Sequence, residues 1–174
     1  MGPGRKHVLV VRPLRSGEAR RYLEIHRSAV RGIAASDYPG EVIEAWAPLP
    51  IGDGDVAAIE DDETEIRLIA ELNGQPAGMG ALVPEQSELR ACYVTPAAAR
   101  RGVGRALVNE IERRARAAGV AELRLVSSLT AEGFYAVLGY DVVRRTEHVL
   151  RSGVRMSAVE MRKTLGRPVE KKSA

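Results

Sequence analysis

Between Thr95-Pro96 and a strongly helical run lies Ala99-Arg100-Arg101-Gly102-Val103-Gly104-Arg105-Ala106. Two glycines, separated by one residue, remove Cβ atoms where a helix begins. There the first N–H groups lack internal partners and the helix dipole favours an anion. Arg100, Arg101 and Arg105 add positive charge. Residues of these types at this spacing can hold phosphate groups. Two other phosphate loops are excluded by spacing: no Gly-Lys-Ser/Thr ending is present, and G-x-G-x-x-G would need glycine where Leu107 stands.

Two further stretches carry ionisable side chains. Tyr135 lies in Phe134-Tyr135-Ala136-Val137-Leu138-Gly139-Tyr140, and Glu88 opens the strand-like run Glu88 to Val94. Strict alternation puts Glu88, Arg90, Cys92 and Val94 on one face of that strand. Other reactive types are bland. Cys92 is the sole cysteine, so neither an intrachain disulfide nor a cysteine metal cluster can form. No histidine stands near it in sequence, and it reads as a small buried hydrophobe. His7, His26 and His148 have no metal-ligand spacing, and His26 falls on an apolar helix face. The acidic stretch Asp53, Asp55, Glu60, Asp61, Asp62 and Glu63 lacks a calcium-loop pattern. No metal is expected.

The elements that must position these residues follow from periodicity. Residues 7–13 form a strand ended by Pro13, and Ser16 offers an N-cap to a helix with Tyr22, Ile25, His26, Ala29 and Ile33 on one face. A short helix follows Pro39. Residues 50–64 read as an acidic, turn-rich connection with a helical turn at most. Residues 65–72 and 75–83 pair around Asn73-Gly74. The small residues Ala77, Gly78, Gly80 and Ala81 predict close approach by another element. After the strand 88–94 comes a helix from Val103 to Gly119, burying Val103, Leu107, Ile111 and Ala115. A strand at 122–128, a helix at 130–139 capped by Thr130, and two strands around Arg151-Ser152-Gly153 complete the chain. The order is βααβββαβαββ, an α/β (α+β) single domain with a mixed, mostly antiparallel sheet flanked by helices. Residues 1–165 form the domain and 166–174 a polar tail.

Composition agrees. The 174 residues are 45% hydrophobic and 28% charged, with a net charge of +3, too mild to argue for nucleic acid. One Phe and one Trp leave few platforms for stacking bases. The apolar run near the N-terminus is too short for a signal peptide or membrane span. A cytoplasmic protein with no membrane or nucleic-acid partner is expected, and a homodimer stays open.

The stretch Cys92-Tyr93-Val94-Thr95-Pro96 through Leu107 resembles the acetyl-coenzyme A loop of the GCN5-related N-acetyltransferases (GNAT), and residues 134–140 match that family's Phe-Tyr-x-x-x-Gly-Phe/Tyr signature. The likeness spans about 88–140. It implies a GNAT-like fold and acetyl transfer from acetyl-coenzyme A to a small-molecule or peptidyl amine by direct attack. It assigns the coenzyme to Cys92, Tyr93, Val94, Arg100, Arg101, Gly102, Val103, Gly104, Arg105, Ala106, Thr130 and Tyr135. Tyr135 is the implied general acid, and Glu88 or a water relay the base. Two positions depart from the pattern: Ala99 replaces the usual Gln/Arg, and Thr130 stands where Asn is frequent. The acceptor is expected to face His26, Asp37, Tyr38, Glu41, Glu44, Trp46, Arg155 and Met156, which favours a cationic amine. The alternative is a non-catalytic acyl-coenzyme A-binding domain on the same fold.

Overall fold

A computed structural model describes residues 7–166. Most of the polar tail expected at 166–174 lies outside the described residues. Strand β1 (Leu9–Pro13) leads into helix α1 (Ala19–Ile33), followed by α2 (Gly40–Trp46) and α3 (Asp53–Glu60). Strands β2 (Ile66–Leu72), β3 (Gln75–Val83) and β4 (Glu88–Val94) come next. Helix α4 (Val103–Ala117), β5 (Glu122–Ser128), α5 (Glu132–Val137), β6 (Asp141–Val149) and β7 (Arg155–Thr164) complete the fold.

The expected order holds except for one additional helix, α3. Its first turn is held by the Asp55 carboxylate, which accepts from the Gly52 N–H at 3.0 Å. No residue of α3 is buried, so no apolar period marked it. Helix α1 also starts later than its sequence suggests. Gly17 turns the chain at φ +83°, and the Glu18 carboxylate accepts from the Arg15 N–H at 2.9 Å while pairing with Arg12.

The sheet has seven strands in the order β1-β2-β3-β4-β5-β7-β6. Neighbours are antiparallel except β4 and β5, which run parallel and share a single register pair, Glu88 with Arg124. Beyond that pair the two strands diverge. Helix α4 covers one face, and its predicted row Val103, Leu107, Ile111 and Ala115 is fully buried. The small residues of β3 admit it: a Cβ on Gly78 would stand 2.8 Å from Leu107 Cδ1. Helices α1 and α2, with Tyr38 between them, cover the other face, packing Tyr22 and Ile25 on Ile69 and Met79, and Val30, Tyr38 and Val42 on Met156. The buried Glu112 accepts from the Tyr140 hydroxyl at 3.2 Å and from Lys163 Nζ at 2.7 Å, tying α4 to β7. Among the described residues no helix is long and apolar enough to cross a membrane.

Candidate active site

The divergence of β4 from β5 opens a cleft of about 530 Å³. Glu88, Cys92, Tyr93, Val94, Thr130 and Tyr135 all line it. Residues Gly102 to Ala106 do not, but they abut it: Cys92 Sγ lies 3.8 Å from the Gly104 carbonyl oxygen. The first turn of α4 therefore rests on the strand that forms one wall.

That turn is open to a ligand. No side chain caps α4, and the N–H groups of Val103, Gly104 and Arg105 find no partner among the described residues. Gly102 occupies the N-cap position at φ +83°, with nothing within 4 Å of where its Cβ would be. Arg100 also takes a positive φ, 60°. Arg100 and Arg105 make no ion pair among the described residues, whereas Arg101 contacts His7 Nδ1 at 2.8 Å.

Gly104 answers to a different demand from the one its spacing suggests. A Cβ there would meet Phe134 Cζ at 3.0 Å and Val94 Cγ2 at 3.5 Å, so the glycine admits the Phe134 ring rather than a ligand. Substituting valine would disturb packing as well as any anion site.

The Phe-Tyr pair divides its labour. Phe134 braces the first turn of α4, and Tyr135 turns into the cleft, 6% exposed, between the rings of Phe134 and Tyr140. Burial holds the Tyr135 phenol well above its usual pKa, so the hydroxyl stays protonated. Burial likewise pushes the Cys92 thiol up to about 12, which removes it as a nucleophile at neutral pH.

Strict alternation fails on β4. Ala91 pairs with Ala81 and Leu89 with Leu82, leaving Arg90 as an extra, bulged residue. Leu89 therefore joins Cys92 and Val94 against the α4-side core, and Glu88 turns to the face covered by α1. Its carboxylate accepts from Arg90 at 2.7 Å, and Arg90 also bonds Glu65 at 3.0 Å.

Thr130 does not cap α5. Its hydroxyl donates to Asp37 at 2.7 Å, and Ser128 Oγ accepts from the Ala131 N–H at 3.2 Å instead. Of the wall expected to meet the acceptor, only Trp46 and Met156 line the cleft. Tyr38 is a strut, donating to the Ser157 carbonyl at 2.7 Å and accepting from the Leu129 N–H at 2.7 Å. Glu44 is paired with Arg31 at 2.7 Å. His26 packs edge-on to Tyr93 with ring centroids 4.6 Å apart, and burial lowers its pKa to about 3. Sequence reasoning missed Val126, Ser127, Ser128 and His148 as cleft residues. The serines and His148 carry no motif. Val126 could have been found only by knowing that β4 leaves it uncovered.

The comparisons with known proteins agree with this architecture. No curated protein matches the sequence. A GCN5-related N-acetyltransferase from Rhodopseudomonas palustris superposes with a TM-score of 0.81 at 29% identity, covering 89% of this chain and 94% of the other. PaiA N-acetyltransferase from Thermoplasma acidophilum, solved with coenzyme A, gives 0.69 at 19% identity over 90% and 99%. The ribosomal-protein-S18-alanine N-acetyltransferase from Escherichia coli gives 0.66 at 18% identity over 96% and 100%. A family model described as the acetyltransferase (GNAT) domain matches residues 34–165, three quarters of the sequence, and takes in the loop, most of the cleft lining and Tyr135. The chain belongs to the GNAT acetyltransferase family.

Proposed function

We propose that the protein transfers an acetyl group from acetyl-coenzyme A to a primary amine. One observation carries this reading: the uncapped first turn of α4 abuts a cleft that Tyr135 lines. The free N–H groups from Val103 to Arg105, with Arg100, Arg101 and Arg105 nearby, suit a pyrophosphate. The gap between β4 and β5, bordered by Cys92, Tyr93 and Val94, suits an extended arm bearing amides, because facing strand edges there lack ladder partners. Thr130 borders the same gap. The coenzyme supplies an activated thioester.

The chain's own residues then have two proton tasks. Freeing a lysine-like amine at pH 7 costs about 4.6 kcal/mol, while a departing thiol with a pKa of about 8.5 needs less help. Glu88, turned by the bulge to the α1 face, serves as base directly or through water. Its bond to Arg90 fixes the carboxylate and favours the relayed form. Tyr135, protonated throughout, donates to the leaving sulfur. Calorimetric titration with coenzyme A, followed by thiol release from acetyl-coenzyme A with a panel of amines, tests the reading. Binding with turnover of at least one amine is expected. Binding without turnover supports a non-catalytic acyl-coenzyme A-binding domain, and absence of binding rejects both.

A further inference from the structure

The cleft has a second half, on the sheet face covered by α1 and α2. Its floor comes from Val126 of β5 and from Met156 and Ala158 of β7. Cross-strand pairing fixes this: Ser128 lies opposite Ala158, and Met156 opposite His148, so these side chains share one face. Its roof is Ala29 and Ile33 of α1 with Trp46 of α2. Apart from Ser128, His148 at the β6 edge and the aromatic Tyr93, these surfaces are hydrocarbon.

Two observations give this half a chemical preference. Val126 sits on an interior strand of the sheet yet is 50% exposed, while its neighbour Leu125 on the α4 side is 2% exposed. Val126 is open where β4 has left β5, and apolar surface open inside a concave site is surface prepared for a ligand. The second observation concerns charge. None of Asp37, Glu41 and Glu44 lines the cleft. Asp37 accepts from Thr130, and Glu44 is held by Arg31. Glu88 lies at the apex, bonded to Arg90. Glu160, opposite Val126 on the same face, is held by Arg144 at 2.6 Å, so a second positive charge on an acceptor would be desolvated here with no unpaired carboxylate in the lining.

We propose that this half of the cleft takes a primary amine borne on a branched or aromatic hydrocarbon body and rejects amines whose body is itself charged. The proposal rests on the acetyl-transfer reading above and narrows it.

Trp46 is the sole tryptophan and lines this half, so its fluorescence reports occupancy directly. The coenzyme A-loaded protein is titrated with 3-methylbutylamine and with 1,4-diaminobutane. The branched amine is expected to bind at least about 10-fold more tightly, a discrimination typical of apolar pockets. Val126→Asp, at a half-exposed position, is expected to erase that preference while leaving coenzyme A affinity unchanged. Val126→Ser, which adds no charge, is expected to weaken 3-methylbutylamine binding without favouring the diamine. Equal or tighter binding of the diamine to the native protein, or an unaltered preference in both variants, overturns the proposal. Thiol release is followed in parallel and separates the two readings. Preferential binding with no turnover of these two amines or of any amine in the panel rejects acetyl transfer, whereas turnover favouring the diamine rejects the apolar acceptor alone.

Discussion

Replacing Tyr135 with phenylalanine removes one oxygen and little else. The ring remains packed between Phe134 and Tyr140, whose centroids lie 5.1 and 5.6 Å away. No hydrogen bond to the hydroxyl is formed among the described residues, so the folded state loses no partner. Stability should therefore hold, with a Tm change below about 4 °C, the shift that roughly 1 kcal/mol produces in a chain of this size. The catalytic effect is bounded by the phenol's own chemistry. Its pKa is held above the ordinary 10, whereas a thiol is near 8.5, so complete proton transfer to the thiolate is uphill. What the hydroxyl offers the departing sulfur is a hydrogen bond to developing charge, worth about 1.5–3 kcal/mol. At about 1.4 kcal/mol per tenfold, turnover should fall about 10- to 150-fold. The assay is thiol release at saturating acetyl-coenzyme A and amine, with coenzyme affinity measured separately by calorimetry and expected to be unchanged. Full turnover from pH 6 to 9.5 would make Tyr135 a packing residue. A Tm fall well beyond 4 °C would show that the hydroxyl supports the fold.

Glu88→Gln should lower kcat/KM for a basic amine by about 100-fold at pH 7 and recover as pH approaches the amine's own pKa, because free amine then needs no base; a loss equal at every pH in a pH–rate profile would assign Glu88 to holding Arg90. His26 gives a stability prediction with a definite sign. Its folded pKa is about 3, while the unfolded chain titrates near 6.5, so the stabilisation present above pH 6.5 is lost as pH falls. His26→Gln should remove that loss, narrowing any deficit relative to the native protein by at most about 2 kcal/mol between pH 6.5 and 5 in urea denaturation; a gap that does not move would mean His26 protonates equally in both states.

The strands, the buried row of α4 and the close approach at Gly78 were legible because each is a local pattern with one physical solution. Helix α3 was not, since a surface helix held by Asp55 on the Gly52 N–H buries nothing. The Arg90 bulge escaped for a related reason: one extra residue reverses the facing of Glu88, yet nothing in Glu-Leu-Arg-Ala-Cys marks where it enters. At the site, the glycine-rich turn and Tyr135 came from motif and helix-terminus physics. The two glycines looked equivalent, however, and only the Phe134 ring against Gly104 tells packing from backbone conformation. Thr130 looked like a cap because threonine often is one. The Asp37 carboxylate that claims it lies far away in sequence.

The single β4–β5 register pair has a consequence for cooperativity. Strands β1 to β4 form one hydrogen-bonded ribbon, and β5 to β7 form another. Among the described residues the two are joined across the ladder only where Glu88 meets Arg124, where the Arg124 N–H donates to the Ser87 carbonyl at 2.9 Å. Without ligand, amide exchange along the facing edges of β4 and β5 should be fast beside that of β2 and β3, because opening there breaks few bonds. An occupant spanning the gap would bridge both ribbons and so bind the closed sheet in preference to any half-opened form. Slowed exchange at the C-terminal ends of β4 and β5 would then accompany binding, with a sharper melt, and the ligand would serve the sheet as its missing rung.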